Sequence, residues 1–254
     1  MSLSQKIEWA FSTIGCPELP LAQAAELGRK YKWDLLEVRV AGENFPEKAT
    51  LRQLAAQKRC RILGTSFGLL TDDDSYREKL RMCAELAAGC QVPYVRIFGG
   101  YAFAEGIDEC QYDCAGRNLE YFAALELPVR PVLETHDCFS SARRVMELFE
   151  RLGFTLPVIW DTYHTCFTGG EKLAESLDML LPYIIDIHIK DGDGSALTLP
   201  GAGEFPFAEL AALLKERDYR GMICCEHEKM WHPELPELPE AFKALELFRA
   251  ALME

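Results

Sequence analysis

The sequence predicts an α/β fold, namely a single (β/α)8 barrel that spans residues 1–254. Eight apolar runs of strand length alternate with segments of helical periodicity along the chain. The apolar runs are hydrophobic almost throughout, which is typical of parallel strands that are buried on both faces. Eight strand–helix units in 254 residues are the number and length from which closed barrels of this class are built.

The predicted strands are 7–13, 33–40, 61–69, 92–98, 129–135, 156–161, 184–190 and 221–226. Helical periodicity is clearest in 171–181, where leucines recur on one face and Pro182 follows the end, and in the last segment, which carries Phe242, Leu245 and Phe248 on one face. A doubly wound open sheet is the alternative. Such sheets carry a glycine-rich turn after the first strand, but here that strand is followed by IGCPELP.

The composition argues against two classes of partner. The formal net charge is −13 at pH 7 and no lysine or arginine cluster is present, whereas nucleic-acid binding depends on side chains that neutralise phosphates. No uncharged apolar run reaches the roughly 18 residues that a membrane-spanning helix needs. We therefore expect a small-molecule partner, no nucleic acid and no membrane. The sequence leaves a homo-oligomer open.

The ten cysteines are expected to be reduced thiols. Cys83 and Cys90 lie in a helical pattern, Cys224 and Cys225 are adjacent in an apolar strand, and no Cys-x-x-Cys pair occurs. This distribution differs from the paired loop cysteines of a disulfide framework. Because the N-terminal residues also lack the pattern of a secretory signal, we expect a cytoplasmic protein.

Polar side chains accumulate at the ends of the last four predicted strands, the face at which such barrels carry their chemistry. Glu134, Asp161, His188 and Glu226 each belong to a different one of these strands. Three carboxylates and an imidazole are ligands suited to Mn²⁺, Co²⁺, Mg²⁺ or Zn²⁺, and converging carboxylates repel one another without a cation. Any one of them alone is better explained as a cap, a loop residue or a packed histidine. Four successive strand ends together indicate a metal site.

Four further polar residues follow these positions. His136 lies two residues beyond Glu134, Lys190 two beyond His188, and His164 three beyond Asp161. Residues two apart on a strand point to the same side, so His136 and Lys190 are expected to face the site. Glu228 has the same parity as Glu226 and competes with it for the role of ligand.

Three charged residues lie inside predicted strands in the first half of the chain. Glu37 and Arg39 share a side of the second strand, and Arg96 lies on the fourth. Because charges inside a barrel are costly unless they are paired, we expect a Glu37–Arg96 pair below the site, with substrate contact as the alternative.

The segments that follow the seventh and eighth predicted strands can each be interpreted in two ways. Gly201 and Gly203, in LPGAGEF after the seventh strand, lie where barrels often bind phosphate, but two glycines there are also explained as a turn. Trp231, in the loop after the eighth strand, forms a rim of the pocket or packs beneath the last helix.

At these residues the sequence resembles the xylose isomerase-like TIM barrel superfamily, in its sugar phosphate isomerase/epimerase branch. The resemblance covers nearly the whole chain and rests on the order of several segments: FSTIGCPELPL, WDLLEVRV, YVRIFGG, LETH, DTYH, HIKD followed by LPGAGEF, and EHEKMWHPEL. It implies one divalent metal ion (Mn²⁺, Co²⁺, Zn²⁺ or Mg²⁺) held by Glu134, Asp161, His188 and Glu226. It also implies that His164 contacts a substrate hydroxyl and that Lys190 reaches the substrate.

The residues and the resemblance together predict a metal-dependent isomerase or epimerase of a small keto sugar or sugar derivative, an enzyme of carbohydrate metabolism. A proton next to a carbonyl would be removed, and the metal would stabilise the enediolate. Glu134 and Glu226 are the expected proton-transfer pair, and the expected substrate contacts are His136, His164, Lys190 and Glu228.

Three other functions remain as alternatives. A dehydratase (lyase) of a keto-polyol would use the same metal site, and sequence does not separate it from an isomerase. An abasic-site endonuclease is disfavoured by the five histidines and the negative charge. A non-catalytic sugar-binding barrel is disfavoured by the three converging carboxylates.

Overall fold

A computed structural model describes residues 7–40, 45–100 and 106–253 of the chain, and the structural statements below concern these residues. Eight parallel strands close into a barrel in which each strand pairs with its predecessor and the last pairs with the first. They are β1 (Glu8–Ser12), β2 (Leu35–Arg39), β3 (Cys60–Gly68), β4 (Tyr94–Phe98), β5 (Arg130–Glu134), β6 (Val158–Asp161), β7 (Ile184–Ile189) and β10 (Met222–Cys225). The eight predicted strands and the (β/α)8 barrel are therefore confirmed. That residues 1–254 form one domain stays a prediction.

Helices follow the barrel strands and cover the barrel from outside. They are α1 (Leu21–Lys30), α2 (Lys48–Ala56), α3 (Asp74–Cys90), α4 (Glu109–Ala124), α5 (Ala142–Leu152), α6 (Leu173–Leu180), α7 (Phe207–Glu216), α8 (Leu238–Ala244) and α9 (Glu246–Met253). Local sequence sets several of the ends. Asp108 and Gln111 form a capping box at the start of α4, and Gly153, with φ of +71°, ends α5 in the left-handed conformation that glycine tolerates. The last helical pattern divides into α8 and α9 at Leu245.

The core has two layers. The larger layer lies between the strands and the helices, and a smaller apolar layer fills the N-terminal part of the barrel interior with Ala10, Leu35, Ile62, Val132, Ile159, Met222 and Cys224. Because side chains alternate along a strand, the residue two positions beyond Val132 or Ile159 also points inward. Those residues are Glu134 and Asp161, so the apolar layer forms the floor beneath the polar strand ends.

Among the short elements that were not predicted are a helical turn and a ribbon at the barrel mouth. His164–Thr168 forms a single π-helical turn after β6. Beyond β7, a two-stranded antiparallel ribbon pairs β8 (Asp191–Gly192) with β9 (Leu197–Thr198). Both lie at the carboxyl ends of the strands and shape the rim of the barrel mouth.

None of the ten cysteines, all of which lie in the described ranges, forms a disulfide, as the sequence predicts. Within the same ranges, no helix is both long and apolar enough to cross a membrane. The cytoplasmic location stays a prediction.

Candidate active site

The four predicted metal ligands lie together inside the carboxyl end of the barrel. One ligand atom from each of Glu134, Asp161, His188 and Glu226 lies within 4.8 Å of the others, and all four side chains are buried. Glu134 and Asp161 end β5 and β6, His188 lies on β7, and Glu226 follows β10. The strand alternation that the sequence suggested therefore brings these four side chains to one point.

His188 lies at the centre of the group, with its two ring nitrogens facing different carboxylates. Its Nδ1 is 2.9 Å from Glu134 Oε1 and 3.3 Å from Glu226 Oε1, and its Nε2 is 3.0 Å from Glu37 Oε2. Burial lowers the pKa of His188, but the charges of Glu226 and Glu37 raise it more, so that the net pKa lies well above its usual value. A carboxylate on the second nitrogen orients the ring and fixes its tautomer when a histidine binds a metal. Glu37 fills this position.

Arg96 neutralises the group from the side of β4. Its Nη1 lies 3.2 Å from Glu37 Oε1, 3.2 Å from Glu134 Oε2 and 3.0 Å from Glu226 Oε1. The expected Glu37–Arg96 pair is present, but Arg96 also contacts both site glutamates rather than lying below them. Burial raises the pKa of Glu134, whereas Arg96 and His188 hold it below its usual range.

Lys190 provides the second fixed cation. Its Nζ lies 2.7 Å from Asp161 Oδ2, 2.7 Å from Glu226 Oε2 and 2.5 Å from Glu228 Oε1. Glu228 thus lies beside Lys190, outside the four-ligand group. Because Arg96 and Lys190 already balance much of the negative charge, carboxylate repulsion alone does not require a metal ion.

The donor atoms nevertheless fit a divalent ion. Asp161 Oδ2 and His188 Nδ1 are buried, and their neighbours Lys190 Nζ at 2.7 Å and Glu134 Oε1 at 2.9 Å do not meet them in hydrogen-bond geometry. Three carboxylates and one imidazole form a mixed oxygen and nitrogen set that suits Mn²⁺, Co²⁺ or Zn²⁺. Unsatisfied buried polar atoms cost free energy, and a bound ion would satisfy them.

The two predicted histidine contacts lie at the mouth, with ring centroids 4.2 Å apart. Burial and the charge of Lys190 lower the pKa of His164 to about 3, so this ring is neutral at physiological pH. Burial lowers the pKa of His136, but a 2.7 Å hydrogen bond to Asp137 Oδ1 helps to raise the net pKa above its usual value. His164 is therefore neutral, whereas His136 is protonated more readily than an ordinary histidine.

A cavity of about 330 Å³ opens above the cluster, and Glu134, Glu226, His136, Arg39, Arg96 and Trp231 are among the residues that line it. Trp231 is 54% exposed, so it forms part of the rim. The volume is of the size that small-molecule sites have.

The LPGAGEF loop is not the phosphate site that its glycines suggested. The backbone N–H groups of Gly201 and Gly203 donate to Asp191 Oδ2 at 2.7 and 3.1 Å, and that of Phe205 donates to Asp191 Oδ1 at 2.9 Å. A buried carboxylate of the protein therefore already occupies the position that an anion would take. The turn interpretation is the correct one.

Asp186 is a buried acid that the sequence reasoning missed. It lies on the inward side of β7, two residues before His188, and neither of its carboxylate oxygens has a hydrogen-bond partner among the described residues. Burial raises its pKa to about 7. The alternation of Asp186, His188 and Lys190 in DIHIK was the available signal, since all three share one side of the strand.

The sequence is similar to a known protein family. A family model described as xylose isomerase-like TIM barrel matches residues 21–251. No curated protein matches the sequence significantly.

Among solved structures, the D-allulose 3-epimerase from Methylomonas sp. in complex with D-allulose aligns with a TM-score of 0.75 at 16% identity, covering 97% of each chain. The IolI protein with a bound zinc atom aligns with a TM-score of 0.75 at 17% identity, covering 98% of each chain. The probable 3-DHS dehydratase AsbF from Bacillus anthracis aligns with a TM-score of 0.71 at 14% identity, covering 94% of this chain and 98% of that one. At sequence identities this low, the similarity concerns the fold alone.

Asp186→Asn should stabilise the metal-free protein, and the gain should grow as pH rises. A carboxyl whose folded-state pKa is raised costs stability once pH exceeds its unfolded value of about 3.9, and the cost increases until pH passes the folded value of about 7. Asparagine keeps the shape without the charge. In thermal and urea unfolding with chelator present, the free energy of unfolding of the variant should exceed that of the unsubstituted protein by about 1–3 kcal/mol at pH 8. The difference should be smaller at pH 5. A variant that is equally destabilised at both pH values would show that Asp186 is ionised and stabilising.

Proposed function

This chain belongs to the xylose isomerase-like TIM barrel family, and on that premise we propose that it is a divalent-metal-dependent isomerase or epimerase of a small keto sugar or sugar derivative. One observation carries the proposal. Three buried carboxylates and a buried imidazole from four neighbouring strands converge beneath a cavity of small-molecule size. The single-domain organisation and the cytoplasmic location expected from the sequence are part of the proposal.

Glu134, Asp161, His188 and Glu226 would hold the ion. When bound, a divalent ion polarises a carbonyl of the substrate and stabilises the negative charge that develops on its oxygen. Asp161 and His188 serve chiefly as ligands, because Asp161 is fully buried beneath the mouth and His188 is held by Glu37 behind it. Glu37 would keep the histidine ring oriented toward the ion.

Glu134 and Glu226 are the proposed proton-transfer groups. Both line the cavity, and their strands lie on either side of β6 and β7 in the barrel. Burial raises the pKa of each, but nearby positive charges lower it further, so that both carboxylates are ionised at neutral pH. One glutamate therefore can accept a proton from a carbon next to the carbonyl. A proton can be returned to the same or a neighbouring carbon by that glutamate, or by the other one after it has taken up a proton from solvent.

Four residues around the pair are the proposed substrate contacts. His164 is neutral and its buried Nε2 has no hydrogen-bond partner in the described part of the chain, which suits a sugar hydroxyl. His136 and Glu228 line the cavity together with Glu134 and Glu226. Lys190, between Asp161 and Glu226, can stabilise negative charge at the reacting end.

A dehydratase of a keto-polyol is the second candidate. The fold neighbours include both a D-allulose 3-epimerase and a probable dehydratase, so the scaffold supports both outcomes. The two reactions share the first proton removal and differ in whether a hydroxyl then leaves. An abasic-site nuclease has less support, because the chain carries a net charge of −13 and nucleic-acid binding relies on positive surface.

The function is tested by incubating the Mn²⁺-loaded protein with a panel of keto sugars in D₂O and following the carbon-bound protons by NMR. Deuterium incorporation without loss of water is expected from an isomerase or epimerase. A new enone signal with release of water would identify a dehydratase instead. The absence of exchange with every keto sugar and keto-polyol of the panel would contradict both.

Glu134→Gln and Glu226→Gln should each lower the exchange rate at saturating Mn²⁺ by roughly a hundred- to ten-thousand-fold, because glutamine keeps the shape but cannot accept the proton. Asp161→Asn and His188→Asn should lose activity mainly through weaker metal binding, so excess Mn²⁺ should restore part of it. If one glutamine variant keeps near-normal exchange, that glutamate is not the acid or base, and Glu228→Gln is the next variant to measure.

A further inference from the structure

We propose that Arg39 binds an anionic group of the substrate, so that the substrate is an acidic keto sugar that carries a carboxylate or a phosphate. This inference rests on the proposed function for the sugar and adds the chemical class of the substrate. It is carried by a half-buried guanidinium that lines the mouth cavity and whose hydrogen bonds to described residues go to uncharged acceptors.

The two hydrogen bonds that the Arg39 guanidinium donates to described residues go to uncharged acceptors. Arg39 is the last residue of β2, and its Nη1 donates to the backbone oxygen of Thr65 at 2.8 Å while its Nη2 donates to Ser66 Oγ. Its Nε is buried and has no hydrogen-bond partner, and Arg39 forms no ion pair with any described residue. A guanidinium has five N–H donors, so several remain for a ligand.

The contrast with Arg96 makes this arrangement informative. Both guanidinium groups line the same cavity, but Arg96 contacts three carboxylates. Burial and the nearby charge of Arg96 lower the pKa of Arg39 to about 10, and the charges of Glu37, Glu134 and Glu226 offset this shift only in part. Removing a charge from water is costly unless it is paired, and a carboxylate or phosphate is the partner that a guanidinium fork binds best.

Arg39 lies where it can contact the end of a substrate that is remote from the reacting carbons. In the closed sheet, β2 lies opposite β6, with three strands between them on either side. Asp161 and His164 follow β6, so the proposed reacting end and Arg39 lie on opposite sides of the mouth. The ring of Trp231, whose centroid lies 5.7 Å from the guanidinium carbon, covers Arg39 from the rim.

A purely structural role for Arg39 and a phosphate site elsewhere both have less support. Arg39 could serve only to tie β2 to β3 through Thr65 and Ser66, but those two hydrogen bonds need N–H donors and not a positive charge. A phosphate could bind at the glycines of the LPGAGEF loop, but Asp191 already accepts those backbone N–H groups.

Calorimetric titration of the Mn²⁺-loaded protein tests the proposal with D-fructose, D-fructose 6-phosphate and D-fructuronate as neutral, phosphate and carboxylate probes. One acidic probe should bind at least about tenfold more tightly than D-fructose, and the preferred probe identifies the anion. In Arg39→Met the acidic probe should lose about 10- to 100-fold in affinity, because hydrogen bonds between charged groups are lost, while D-fructose affinity changes little. Arg39→Lys should retain part of the preference.

Arg61→Met is the matched control, since it removes the same charge near the opposite end of the barrel, where Arg61 pairs with Glu8. This variant should keep the preference for the acidic probe over D-fructose. If no acidic probe binds more tightly than D-fructose, or if Arg39→Met weakens neutral and acidic probes equally, the subsite proposal is wrong. Arg39-dependent anion binding without deuterium exchange on any sugar would instead remove the proposed function and leave the subsite standing.

Discussion

The balance of charge among buried side chains is the constraint on which the rest of the site depends. Glu37, Glu134, Asp161 and Glu226 are almost fully withdrawn from water, and an ionised carboxylate in such surroundings must be paired. Arg96 and Lys190 meet this need by each contacting more than one carboxylate. A divalent ion that binds the same oxygens would compete with these cations, so we expect metal binding to rearrange existing ion pairs rather than fill an uncommitted pocket.

This constraint also divides the barrel mouth into two sides. On the side of β5 to β10, the charged groups are paired with one another, and the two glutamates proposed for proton transfer lie there. On the side of β2, the hydrogen bonds from the Arg39 guanidinium to described residues go to neutral acceptors. The apolar floor beneath both sides fixes the inward side of each strand. Asp186 lies between that floor and His188 without a hydrogen-bond partner among the described residues, a local cost that a design for stability alone would avoid.

Much of the fold and part of the site could be predicted from the sequence. Unbroken apolar strands and their number indicated the barrel, and parity along strands indicated that Glu134, Asp161, His188 and Glu226 converge. The remaining features depend on distances between strands that are remote in sequence. Only the closed barrel brings Glu37 to His188, 151 residues apart, or Arg96 to Glu226, 130 residues apart. The sequence left both a turn and a phosphate site open at Gly201 and Gly203, and the turn is favoured because the Asp191 side chain accepts their backbone N–H groups.

Titration of chelator-treated protein with Mn²⁺, followed by the electron paramagnetic resonance signal of free Mn²⁺, shows whether Glu134, Asp161, His188 and Glu226 hold one divalent ion. Close to one bound ion per chain is expected, with affinity much reduced in Asp161→Asn and His188→Asn and unchanged in Arg61→Met. Absence of binding, or binding that survives both substitutions at full affinity, would contradict this expectation.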